Sequence, residues 1–130
     1  MAENPNVALV RRLYEAFASA DVPALSELLD GSTWHVPGEN QIAGTYRDAD
    51  EVMGLFAKTR ELTEGTIEWT VHDVVGEATH AVGLDRVTGR RPDGRTIDLN
   101  RIVIGHIADG KVSEVWINVE DQYAFDDFWA

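Results

Sequence analysis

The chain has 130 residues, no cysteine and a net charge of −12 at neutral pH. That length serves one domain, residues 1–130, with a core of its own. The absence of cysteine excludes disulfides and thiolate chemistry and fits a cytoplasmic protein. The acidic balance argues against nucleic acid and anionic membranes as partners, because phosphate contacts need clustered Lys and Arg. No apolar run approaches the roughly 20 residues of a membrane span, and the N-terminus lacks a secretory pattern. The acidic residues are scattered, as on a solubility surface.

Asn4-Pro5 predicts a cap followed by a proline in the first helical turn. Val10, Leu13, Tyr14 and Phe17 then follow the spacing of one buried helix face. Asp21 caps a second short helix with Leu25, Leu28 and Leu29 inward, and Gly31 ends it. The stretch Trp34-His35-Val36-Pro37-Gly38 comes next, then Gly44-Thr45-Tyr46-Arg47-Asp48. Together they set an indole, an imidazole and a phenol near the mouth of the pocket that this order of elements makes. Asp48 with Glu51 has capping-box spacing. A third helix carries Val52, Leu55, Phe56 and Leu62 inward and stops before Gly65.

Beyond Gly65 the period changes to alternation: Ile67, Trp69 and Val71 against Glu68, Thr70 and His72. Three more strands are predicted near 79–90, 95–107 and 111–119, joined by turns at Pro92-Asp93-Gly94 and Asp109-Gly110. The fold class is α+β, with three N-terminal helices laid on a strongly curved antiparallel sheet to form a cone with a pocket. The tail carries Tyr123, Phe125, Phe128 and Trp129, too many aromatics for a solvated segment. It is expected to pack across the cone or on a dimer partner.

These features make the chain resemble the nuclear transport factor 2-like superfamily, in its SnoaL-like and ketosteroid-isomerase-like branch. The matching segments are the opening helices, Trp34 to Gly38, Ala43 to Arg47, His72-Asp73-Val74, the Asp109 to Val112 turn, and Glu120 to Trp129. The resemblance implies a cystatin-like roll, a small-molecule pocket and a homodimer through the outer face of the sheet. Its activities include isomerases, polyketide cyclases, epoxide hydrolases, dehydratases and plain binding modules. Ketosteroid isomerase pairs an Asp base with a Tyr and a protonated Asp at the oxyanion. At the matching positions this chain has Val36, Leu13 and Val103, so that set is not retained. The aspartate that SnoaL-type cyclases often carry after the tryptophan of the last strand is Ile117 here. The Asp-Arg-Asp set of limonene epoxide hydrolases needs an Arg and an Asp two residues apart on one strand. Asp85 and Arg86 are adjacent and face opposite sides.

Strand register supplies a separate argument. A three-residue loop closed by Arg91 and Arg95 sets Asp85 across from Arg101. Ile97, Leu99, Val103, Gly105 and Ile107 are apolar or small, so the side they share with Arg101 is read as concave. A two-residue turn at Asp109-Gly110 sets Asn118 beside Arg101, and a one-residue shift replaces it with Ile117. The next layer is then Gly83, Val103 and Trp116, with open volume expected over the glycine.

The candidate catalytic residues are therefore His35 and Asp85 for proton transfer, with Arg101 and Tyr46 holding developing negative charge. Tyr14, Trp34, Phe56, Val103, Trp116 and Asn118 are candidate substrate-binding residues. His72, His80 and His106 lie on three strands, but alternation is not expected to align them in one row, and no metal site is expected. The expected function is cofactor-independent acid/base chemistry on a small, largely apolar, carbonyl-bearing metabolite. The alternatives are a non-catalytic binding module of the same fold and an epoxide hydrolase.

Overall fold

The computed structural model describes residues 3–130. Helix α1 runs Pro5–Ser19, α2 Val22–Leu28 and α3 Asp48–Leu62, with β1 (Thr33–Val36) and β2 (Gly44–Arg47) between the second and third. Four strands follow: β3 (Glu68–Gly76), β4 (His80–Arg90), β5 (Thr96–Ala108) and β6 (Lys111–Val119); α4 (Gln122–Trp129) closes the chain. The six strands form one curved sheet in the order β2-β1-β6-β5-β4-β3. Four of the five strand pairings are antiparallel as expected, but β1 lies parallel to β6, so the sheet is mixed.

The helix ends follow from their caps. Asn4 Oδ1 accepts from Asn6 N at 2.8 Å and Asp21 Oδ1 from Ala24 N at 3.2 Å. At α3 only half of the expected capping box forms. Glu51 accepts from Arg47 N at 2.9 Å, while the Asp48 carboxylate turns to the backbone N–H groups of Gly31 and Ala49. Those two bonds hold its carboxyl below the usual range and tie the start of α3 to the end of α2.

Register around the two hairpins differs. The first closes at Arg91 and Arg95 with Gly94 at φ +97°, and the pairing it starts runs unbroken from Arg90↔Thr96 to His80↔His106. The second turns at Asp109 and Gly110, both at positive φ, the backbone twist that two-residue hairpins favour. A bulge at His106/Ile107 then shifts β5 against β6. Arg101 consequently faces Val119 rather than Asn118 or Ile117, and Val103 faces Ile117 rather than Trp116.

Helix α1 covers β3 and β4, and α3 lies over β1 and β2. Between helices and sheet sits a core including Leu25, Leu29, Val52, Val87, Val112 and Val115, all almost wholly buried. Each such side chain contributes about 1.5–3 kcal/mol. The aromatic tail forms a helix, α4, capped by Asp121. Its Phe125, Phe128 and Trp129 are buried against the same core, and Tyr123 is exposed. Asp126 pins it, accepting from Asn40 Nδ2, Gln122 Nε2 and Glu39 N.

Candidate functional site

Strand alternation sends Ala81, Gly83, Asp85 and Val87 of β4, and Arg101, Val103 and Gly105 of β5, to the face beneath the helices. Above that face is a cavity of about 310 Å³. Its walls are mostly apolar and include Leu13, Phe17, Trp34, Leu55, Phe56, Trp69, Val103, Ile117 and Trp129. Tyr14 and Arg101 bring polar groups into it, and Arg60 and Glu68, both exposed, stand at its rim.

Asp85 and Arg101 are directly opposed across β4 and β5, as expected. Arg101 Nε donates to Asp85 Oδ1 at 2.8 Å and Nη2 to Oδ2 at 2.9 Å, the fork-to-fork geometry of a strong ion pair. Tyr14 Oη donates to the same Oδ2 at 2.7 Å. The carboxylate has 0 % exposure and the Arg101 side chain 12 %. Arg101 Nη1 has no hydrogen-bond partner among the described residues, yet it retains accessible surface. Because Arg101 lines the cavity, that nitrogen is the donor left for an occupant.

Gly83 explains how Tyr14 reaches Asp85. A Cβ on Gly83 would collide with the Tyr14 phenol oxygen and lie 2.8 Å from its Cε2. The volume expected over this glycine is therefore filled by the Tyr14 ring. Burial first, and the Asp85 charge second, push the Tyr14 phenol far above its ordinary pKa. It stays a neutral donor across the working pH range.

The other candidates divide between the two faces. Trp34, Phe56 and Val103 line the cavity with Tyr14. The Trp34 indole is fixed by its Nε1 donating to Ser32 Oγ at 3.2 Å. His35 does not join them: Trp34 and Val36 point inward, so His35 points out. There its Nε2 meets Glu114 Oε2 at 2.5 Å and its ring stacks on Trp116 at 5.7 Å between centroids. Trp116 and Asn118 lie on that outer face too, both exposed. Tyr46 packs on the core and spends its hydroxyl on Ile42 O at 2.7 Å, outside the cavity lining.

The histidines need a correction as well. His80 and His106 are directly paired across β4 and β5, with rings 4.9 Å apart, so two of the three do share a row. His72 is left out at the bulge between Val71 and Asp73. Among the described residues no group of three His, Cys, Asp or Glu is placed to hold a metal ion.

A model of the SnoaL-like domain matches residues 10–115. The chain belongs to that family. This SnoaL-like domain is 26% identical to an uncharacterized protein of Mycobacterium tuberculosis over 132 aligned residues, covering 100% of both chains. Among solved structures it is similar to Bal32a from a soil-derived mobile gene cassette, at 30% identity and a TM-score of 0.91, with 97% of each chain covered. A protein of unknown function with a cystatin-like fold from Xanthomonas campestris superposes with a TM-score of 0.88 at 25% identity, over 98% of this chain and 99% of that one. No helix among the described residues is long and apolar enough to cross a membrane.

Three features of the SnoaL-like pocket escaped the sequence reading. The Tyr14–Asp85 bond joins a helix to a strand 71 positions away, and its only sequence trace is Gly83, small where a large neighbour must pass. Phe17 and Trp69 carry helical and alternating patterns that fit core and pocket equally. Arg60 sits in the last turn of α3, where a cation also favours the helix dipole, so its place at the rim left no separate signal.

Proposed function

We propose that this chain binds a small, largely apolar metabolite bearing a carbonyl group and moves a proton on the carbon beside that carbonyl. The observation that carries the reading is the unpartnered Nη1 of Arg101, a residue that lines an apolar cavity, with Nε and Nη2 bonded to Asp85. A donor fixed before the substrate arrives costs no reorganisation as negative charge develops on the carbonyl oxygen.

In this reading Tyr14 Oη accepts the proton released from carbon while its own proton passes to Asp85 Oδ2. The C–H bond breaks, its electron pair moves toward the carbonyl oxygen, and one O–H bond forms as another breaks on the phenol. The negative charge leaves Asp85 and appears on the substrate oxygen, and both positions adjoin Arg101. The guanidinium is never left without a counter-charge, which matters in a site of low polarity. Return of the proton to another carbon gives isomerisation; loss of a leaving group gives dehydration; attack by the enolate carbon gives cyclisation. His35 and Tyr46 take no part.

A second reading, ligand binding without turnover, is favoured by the saturation of Asp85, which has no exposed surface and bonds through both oxygens. The same saturation speaks against epoxide hydrolysis, which needs a carboxylate oxygen free to hold a water. A homodimer through the outer face is supported by two neighbouring apolar rows there, Val75, Val82, Ile104 and Trp116 beside Leu84 and Ile102. The absence of cysteine supports a cytoplasmic setting.

The discriminating experiment uses 1-tetralone in deuterated buffer. Proton transfer predicts faster deuterium entry at its α-carbon with the protein than without, lost in Tyr14→Phe while calorimetric binding persists. Binding without exchange selects the second reading. Unchanged binding by Arg101→Lys, which keeps the charge and removes the fork, contradicts both.

A further inference from the structure

The charges around the cavity are distributed unevenly between its interior and its rim. Inside, Arg101 is already matched by Asp85 through two hydrogen bonds, and the Tyr14 phenol adds a third to the same carboxylate. That group is neutral as a whole. A ligand bringing a full negative charge to Arg101 would leave an uncompensated charge in an apolar space, at a cost the unpartnered Nη1 does not offset.

At the rim the balance differs. Arg60 lines the cavity, is exposed, and forms no ion pair with any carboxylate among the described residues. Its guanidinium carbon lies 5.6 Å from the centre of the Phe56 ring, which holds the cation over a cavity wall. Glu68, the other charged rim residue, stands between this cavity and a shallow groove lined by Thr66, Thr88 and Arg90.

We infer that the ligand is an amphipathic organic monoanion that sends a neutral carbonyl inward to Arg101 and keeps its carboxylate-type charge at the rim against Arg60. Arg60 is then the residue that selects charged ligands over neutral ones of the same shape. It can do so without disturbing the interior, because a solvated rim charge is not desolvated on binding. The inference rests on the proposed carbonyl site at Arg101 and adds to it the ligand's charge and orientation.

The test compares 6-carboxy-1-tetralone with its carboxamide by calorimetry in low-salt buffer. The carboxylate is expected to bind wild type about threefold to fivefold more tightly, as a partly exposed ion pair allows. That preference shrinks with added sodium chloride, disappears in Arg60→Gln, and grows in Glu68→Gln. Arg101→Lys weakens both compounds and leaves their ratio unchanged. Equal binding of the two compounds by wild type, or a preference that survives Arg60→Gln, overturns the inference and leaves the Arg101 site standing. A preference lost in Arg101→Lys but kept in Arg60→Gln puts the charge inside and overturns it too. No binding of either compound overturns it together with the reading on which it rests.

Discussion

Two ion pairs join β4 to β5 from adjacent residues of β4, and they face opposite sides of the sheet. Asp85–Arg101 points under the helices and Arg86–Asp98 points to solvent. Both use the forked guanidinium: Arg86 donates from Nε at 2.5 Å and Nη2 at 2.6 Å, as Arg101 does at 2.8 and 2.9 Å. The outer side chains are 58 % and 55 % exposed, and the inner ones 12 % for Arg101 and 0 % for Asp85. Geometry alone would rank them as equals. Water decides otherwise: it screens the outer pair to little consequence, while the inner pair must satisfy itself completely and so becomes a fixed electrostatic fixture beside a cavity.

The largest effect should come from halving the inner pair. Arg101→Gln leaves a buried carboxylate without its cation and should cost about 3–5 kcal/mol in urea denaturation. Replacing both partners by Asp85→Leu with Arg101→Met should recover most of that loss, which would show the pair is kept for its chemistry and not for stability. Gly83→Ala comes next, at about 1–3 kcal/mol, because its methyl pushes the Tyr14 ring off Asp85. Loss of the protein's effect on deuterium entry into 1-tetralone would accompany it.

The Asp126 carboxyl is held below its ordinary range, chiefly by Asn40 and then by Gln122 and Glu39 N. A depressed folded-state value means its stabilisation is complete above about pH 4, the unfolded carboxyl's range, and is lost as pH falls through the lower folded value. Asp126→Asn should therefore flatten the fall of the melting temperature below about pH 4. The smallest effect belongs to the outer pair: Asp98→Asn should leave the denaturation midpoint unchanged within error.

Which of these residues were legible in advance follows from how far each depends on local geometry. Asp85 opposite Arg101 was readable because a tight turn sets the register and no bulge intervenes between them. The same arithmetic places His80 opposite His106, so that pair was within reach of the sequence and was missed. Asn118 and Trp116 were misplaced by the single bulge at His106/Ile107, which no residue type announces. His35 carried its own correction: alternation on β1 sends Trp34 and Val36 to one face and the imidazole to the other. The α4 helix was half visible, since Phe125, Phe128 and Trp129 have helical spacing behind an Asp121 cap. The Tyr14–Asp85 contact was not, because it depends on where α1 crosses the sheet, a fact of packing and not of pattern.

The most direct measurement is the nitrogen-15 spectrum of the Arg101 side chain during titration with 1-tetralone. The account predicts that the Nη1 protons shift as the ketone is added, while the Nε proton, bonded to Asp85, stays nearly still. A titration that leaves Nη1 untouched, or that moves Nε as much as Nη1, would contradict it.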